Sequence, residues 1–99
     1  MTITKTVDGP VCTLAVAGRL DAESAPELLE VVETLDGVKD LTLDFSRLLY
    51  ISSAGLRVLM IAYRMVGSEG EIRVIHAKDV IRSVLGMTGF SAVLTIEDD

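Results

Sequence analysis

The chain contains no tryptophan and only two tyrosines and two phenylalanines. Proteins that bind single-stranded nucleic acid present aromatic rings on which bases stack, and this composition has few to present. Basic residues are also scarce: nine lysines and arginines face fifteen aspartates and glutamates, for a net charge of -6. An acidic surface without a basic stripe repels phosphate backbones and anionic headgroups. Neither nucleic acid nor membrane insertion is therefore expected. A basic protein surface is a better match, although moderate acidity also serves solubility alone. The one cysteine, Cys12, cannot form an internal disulfide and lies in an apolar run, where it reads as a small buried hydrophobe. No secretory leader pattern is present, so a reducing cytoplasm is the expected compartment. The longest strongly apolar stretch, Leu56 to Val66, is interrupted by Arg57 and Arg64 and is well short of the ~20 residues a spanning helix needs.

Catalytic equipment is missing as well. His76 is the lone histidine, and a single His directly after a strand reads as structural or solvated. No second His or Cys completes a zinc-binding pattern. There is no GxxxxGK[ST] phosphate loop and no GxGxxG fingerprint. Ser53-Ala54-Gly55 lacks the glycine two positions before the serine that a nucleophile elbow requires. The expectation is a protein without catalytic residues, metal or cofactor.

What is present is enough for one core. At 99 residues and 49% hydrophobic content, a single ordered domain spanning residues 1–99 is expected. Thr2 to Val7 alternates with a period of two, Asp8-Gly9-Pro10 marks a turn, and Val11 to Ala17 resumes as a strand. These predict an N-terminal hairpin, ended by Gly18-Arg19-Leu20-Asp21. Ala22 to Leu35 has helical spacing, with Ala25, Leu28, Leu29, Val32 and Leu35 on one face and Glu23, Glu27, Glu30 and Glu33 elsewhere. Asp21 is placed to cap it, and Gly37 follows its end. The glutamates read as a solvated row rather than a metal site.

Leu41 to Phe45 predicts a short strand, with Leu48 to Ile51 as an apolar approach to a second helix over Ser53 to Val66. Gly67 and the Ser68-Glu69-Gly70 link follow. Ile72 to Ile75 is a strand and Lys78 to Met87 a third helix, stopped by Gly89. A last strand over Val93 to Ile96 precedes the acidic Glu97-Asp98-Asp99. The order ββαβαβαβ predicts an α/β domain with a mixed, mostly parallel sheet of four to five strands backed by helices.

The informative segment is Tyr50 to Leu56. Two serines precede a helical apolar run, and serine is a preferred N-cap because its oxygen accepts an orphan backbone N–H. A helix N-terminus is also where a phosphate is best tolerated. Both readings stand on the residues alone. At 100° per residue, Gly55, Leu59, Ala62, Tyr63 and Val66 form the core face of the helix, with Leu56 and Val58 at its edges. The opposite face holds Ser53, Ala54, Arg57, Met60, Ile61, Arg64 and Met65. Large apolar residues among arginines suggest a recognition surface. The competing reading is a central helix buried nearly all round, against which the two arginines count.

Taken together, these segments resemble the STAS domain family, in particular bacterial anti-sigma factor antagonists. Gly18-Arg19-Leu20-Asp21 resembles the family's G-x-L-D, Leu43-Asp44-Phe45-Ser46 its L-D-[LF]-S strand end, and Tyr50 to Leu56 its aromatic-x-D-S-[STA]-G-L signature. The resemblance implies a curved sheet backed by helices and a phosphorylation switch at Ser53. It implies, as partners, an anti-sigma factor that is also a serine kinase of the histidine-kinase-ATPase fold, and a PP2C-type phosphatase that resets the switch. Asp21, Ser52, Ser53, Ala54, Arg57, Met60, Ile61, Arg64 and Met65 are the expected partner-binding residues. Ser52 stands where the signature has Asp, which removes a charge and supplies a second-choice phosphoacceptor. A scaffold or transporter-associated STAS subunit that is never phosphorylated is the alternative. A nucleotide sensor ranks last because no phosphate loop is present.

Overall fold

A computed structural model describes residues 1–35, 37–67 and 69–97. Ser68 of the expected link and Asp98 and Asp99 of the acidic end lie outside the described residues. The chain runs β1 (Thr2–Asp8), β2 (Val11–Leu20), α1 (Ala25–Val32), β3 (Asp40–Asp44), β4 (Leu48–Ile51), α2 (Ser53–Val66), β5 (Glu71–Ile75), α3 (Asp79–Met87), a 3-10 turn (Phe90–Ala92) and β6 (Thr95–Ile96). The α/β class and the mixed sheet agree with the sequence pattern. The hairpin is antiparallel, with Asp8 opposite Val11 across Gly9-Pro10, and every other strand pairing is parallel.

The sheet has six strands in the order β1-β2-β3-β5-β6, with β4 paired to β2 off that path. The segment Leu48–Ile51, expected as an approach to the helix, is thus a strand in its own right. Its partner is the end of β2, which continues past Ala17 to Leu20. β3 runs beside Val11 to Ala15, the chain loops away at Phe45 to Arg47, and β4 returns beside Gly18 to Leu20. Two features of Gly18 accompany this division of β2. Gly18 has φ +97, a conformation that side chains with a Cβ rarely adopt, and its N–H donates to the Arg47 carbonyl at 2.9 Å.

Alternate strand residues enter one core. Cys12, Leu14 and Val16 of β2, Leu41 and Leu43 of β3, and Ile72 and Val74 of β5 are buried together with Leu28 and Val32 of α1, Val58 and Leu59 of α2, and Ile81 and Leu85 of α3. Cys12 has no exposed surface; burial pushes its thiol above the ordinary value, and Lys5 opposes the shift.

α1 differs from the sequence expectation at its start. The helix begins at Ala25 rather than Ala22, because Pro26 has no N–H to return to the Ala22 carbonyl and is tolerated only in a first turn. Asp21 is consequently not the N-cap, which is Ser24. Its carboxylate instead caps the turn over residues 22–24, accepting from the Glu23 and Ser24 N–H groups at 3.1 Å. Val93, expected in the last strand, follows the 3-10 turn and is exposed.

Candidate functional site

The end of β2 and the start of α2 are joined through the β2–β4 pair. Leu20 lies beside Ile51 in the ladder, and the Ser52 N–H donates to the Leu20 carbonyl at 2.9 Å. Asp21, Ser52 and Ser53 therefore leave the sheet at the same end. α2 sits directly on this pair. A Cβ on Gly55 would come 2.7 Å from Leu20 Cγ and 3.0 Å from Ile51 Cγ1, so the helix approaches as closely as glycine permits.

The two serines occupy different positions. Ser52 is the N-cap, extended in its backbone, and its Oγ accepts from the Gly55 N–H at 3.4 Å. Ser53 is the first helical residue and is exposed. Among the described residues its hydroxyl makes no hydrogen bond. Positive partial charge at the helix start favours an anion there, and Arg57 follows one turn later.

Beside the serines stands a compact polar cluster. Ser24, although buried, donates its hydroxyl to the Arg19 carbonyl at 2.7 Å and accepts from the Asp21 N–H at 2.9 Å. The Asp21 carboxyl is held below the ordinary carboxylate range, chiefly by the Ser24 N–H. The Ser24 hydroxyl, the Glu23 N–H and the Arg19 charge act in the same direction, while desolvation opposes them. The Arg19 guanidinium reaches Asp21 at 4.0 Å and lies over the Tyr50 ring, 4.3 Å from its centroid. The sequence motifs include Arg19 and Tyr50 but do not reveal this pairing. Their side-by-side register in β2 and β4 creates it.

The remaining expected site residues separate into two groups. Arg57, Arg64 and Met65 are exposed. Met60 and Ile61, expected on the solvent face with them, are half-buried, and this corrects the sequence reading. Met60 packs against the core; for Ile61 the reason lies in α1. Ala22, Ala25, Pro26 and Leu29 form one wall of a groove whose other wall is Ala54, Arg57, Val58 and Ile61. Ile61 and Ala54 thus belong to a helix–helix seam. The α1 wall was not expected as part of the site. Its sequence signal is the i, i+3 spacing of the apolar Pro26 and Leu29, which sets them side by side on α1.

No group of His, Cys, Asp or Glu among the described residues is placed to hold a metal, and no described helix is long and apolar enough to cross a membrane.

The comparisons agree with the fold. A family described as "Mlab, STAS domain" matches residues 3–95. A protein of Bordetella bronchiseptica named as a candidate anti-sigma factor antagonist, BtrV, is 34% identical over 87 residues, covering 87% of this chain and 70% of its own length. An anti-sigma factor antagonist from Mycobacterium paratuberculosis superimposes with a TM-score of 0.88 at 22% identity, over 99% of this chain and 86% of its own. The phosphorylated form of SpoIIAA from Bacillus gives 0.76 at 16% identity, over 99% of this chain and 93% of its own. The match extends from β1 into β6 and takes in both halves of the serine-bearing junction: this chain belongs to the STAS domain family.

Proposed function

We propose that the domain is a non-catalytic, cytoplasmic anti-sigma factor antagonist that switches partners through phosphorylation of Ser53. In this reading the unphosphorylated form binds an anti-sigma factor that is also a serine kinase of the histidine-kinase-ATPase fold. Phosphorylation releases that partner, and a PP2C-type phosphatase restores the binding form. The names of the relatives support the antagonist role.

The observation that carries the choice of residue is the contrast between the two serines. Ser52 uses its oxygen to cap α2, whereas Ser53 is exposed with its hydroxyl uncommitted among the described residues. A phosphate adds about −1.5 to −2 charge. At the helix start the dipole stabilises such charge by ~0.3–1 kcal/mol, so the free domain keeps its fold. Inside a closed interface the same dianion loses its water, and unless the partner supplies a cation the cost reaches several kcal/mol. A penalty of ~3 kcal/mol weakens binding more than a hundredfold.

The test is to incubate the domain with its captured kinase and ATP, map the modified residue by mass spectrometry, and measure the affinity of both forms. Phosphate on Ser53 with a large loss of affinity is the expected result. Phosphate only on Ser52, or equal affinities, overturns the mechanism. Labelling of neither serine supports the non-phosphorylated scaffold or transporter-associated subunit.

A further inference from the structure

The charges that flank the α1–α2 groove are segregated by sign. α2 carries no acidic residue; its charged side chains are Arg57 and Arg64, two turns apart on one face. Glu30 of α1 and Glu33, the C-cap of α1, follow Pro26 and Leu29 by one turn each, prolonging that wall with negative charge. All four are exposed. Other charges on the surface are paired, Lys39 with Glu69, Arg73 with Glu71 and Glu97, and Arg82 with Asp79, while Glu23, Glu27 and Arg47 resemble the groove-flanking residues in having no ion pair among the described residues. Among the described residues, none of the four groove-flanking side chains makes an ion pair or a hydrogen bond.

Between these rims the walls are apolar apart from Arg57: Ala22, Ala25, Pro26 and Leu29 against Ala54, Val58 and Ile61. Met65, 39% exposed and one turn beyond Ile61, extends the apolar strip. An apolar groove between two unpaired rims of opposite charge is complementary to one kind of occupant. We propose that the groove receives an amphipathic helix of a protein partner, with an apolar stripe flanked by acidic residues on one side and basic residues on the other. Its carboxylates meet Arg57 and Arg64, and its lysines or arginines meet Glu30 and Glu33. A uniformly basic helix suits the net acidity of the domain but faces Arg57 and Arg64 with like charge. A uniformly acidic helix faces Glu30 and Glu33 in the same way. Turning the helix end for end exchanges its two flanks, so the charge pattern also selects the direction in which it lies. The inference takes from the proposed function only that the partner is a protein; it does not require Ser53 to be modified.

The experiment uses the full isotopically labelled chain and three synthetic helical peptides sharing one leucine stripe. One peptide has glutamates on one flank and lysines on the other, one has lysines on both, and one has glutamates on both. The mixed peptide should bind about tenfold more tightly than either control at low salt, the sum of a few exposed ion pairs. The advantage should fade at ~1 M salt, where screening acts within ~3 Å. Amide shifts should centre on Leu29, Ala54 and Ile61. The doubly reversed variant R57E/R64E makes both rims acidic and should transfer the preference to the lysine-flanked peptide, while its unfolding midpoint stays near that of the parent. Shifts that map away from the groove, a mixed peptide that binds no better than the lysine-flanked one, or an unchanged ranking in R57E/R64E would each overturn the proposal. A domain that shows this ranking but is never phosphorylated removes the switch reading and leaves the groove assignment standing.

Discussion

Gly55 and Leu20 meet where a single methyl group would not fit: a Cβ on Gly55 would lie 2.7 Å from Leu20 Cγ and 3.0 Å from Leu20 Cδ2. The first turn of α2 therefore rests on the β2–β4 pair, and this contact fixes the height at which Ser53 leaves the sheet. Overpacking of this kind costs ~1–3 kcal/mol. G55A should lower the urea midpoint accordingly. In an L20A background, where the two obstructing Leu20 atoms are gone and only Ile51 Cγ1 stays close, the same substitution should cost less, and a double-mutant cycle measures the coupling. Additive losses would show that the clash is relieved by movement of the helix instead.

Ser24 ties the G-x-L-D segment to the start of α1. Its hydroxyl donates to the Arg19 carbonyl and accepts from the Asp21 N–H, and the residue is only 9% exposed. Removing the hydroxyl leaves two backbone groups short of a partner. S24A should destabilise the domain by ~1–3 kcal/mol, measured by denaturant unfolding. A loss within a few tenths of a kcal/mol would mean that water replaces the hydroxyl.

The depressed pKa of Asp21 makes part of the stability acid-sensitive. Its folded value lies below its unfolded one. The contribution is therefore fully present above the ordinary carboxylate pKa of ~3.9 and is lost as pH falls through the lower folded value. The stability gap between parent and D21N should be constant from neutral pH to about pH 5 and close below the ordinary carboxylate pKa. A gap unchanged in acid would refute the role assigned to the ionised carboxylate.

Ser52 and Ser53 should separate cleanly in stability measurements. Ser52 caps α2 through a long 3.4 Å contact, so S52A should cost toward the lower end of the ~0.5–2 kcal/mol range for lost caps. Ser53 sits in the first turn, where a negative charge is favourable, and S53D should leave stability unchanged or raise it by up to ~1 kcal/mol. Thermal or urea unfolding of the two variants decides this. Destabilisation by S53D comparable to S52A would contradict the positions assigned to them.

Much of this architecture was legible in the sequence because it rests on local chemistry. The period of two in Thr2 to Val7, the turn at Gly9-Pro10 and the 3.6-residue spacing of Gly55, Leu59, Ala62 and Val66 need no tertiary information. The start of α2 followed from Ser52 as a preferred cap. β4 was not legible: in Leu48–Ile51 the outer residues are buried and the middle two exposed, so the segment shows no alternation. The late start of α1 was readable in principle from Pro26, but the capping pattern of Asp21 competed with it. Met60 and Ile61 were misplaced because a helical wheel shows which residues share a face, not how far the core or a neighbouring helix, α1 in the case of Ile61, reaches around it.

By itself the sequence determined the class of the domain, the order of most of its elements and the chemical character of the serine-bearing helix start. These follow from hydrophobic period, turn residues and caps, which act over a few residues. Only the tertiary structure decided that β2 serves two parallel partners in succession, that Arg19 lies over Tyr50, and that α1 and α2 enclose an apolar groove between rims of opposite charge. Each of these depends on segments distant in the chain settling at one register and one separation. That choice is set by close approach, as at Gly55 and Leu20, which no local pattern encodes.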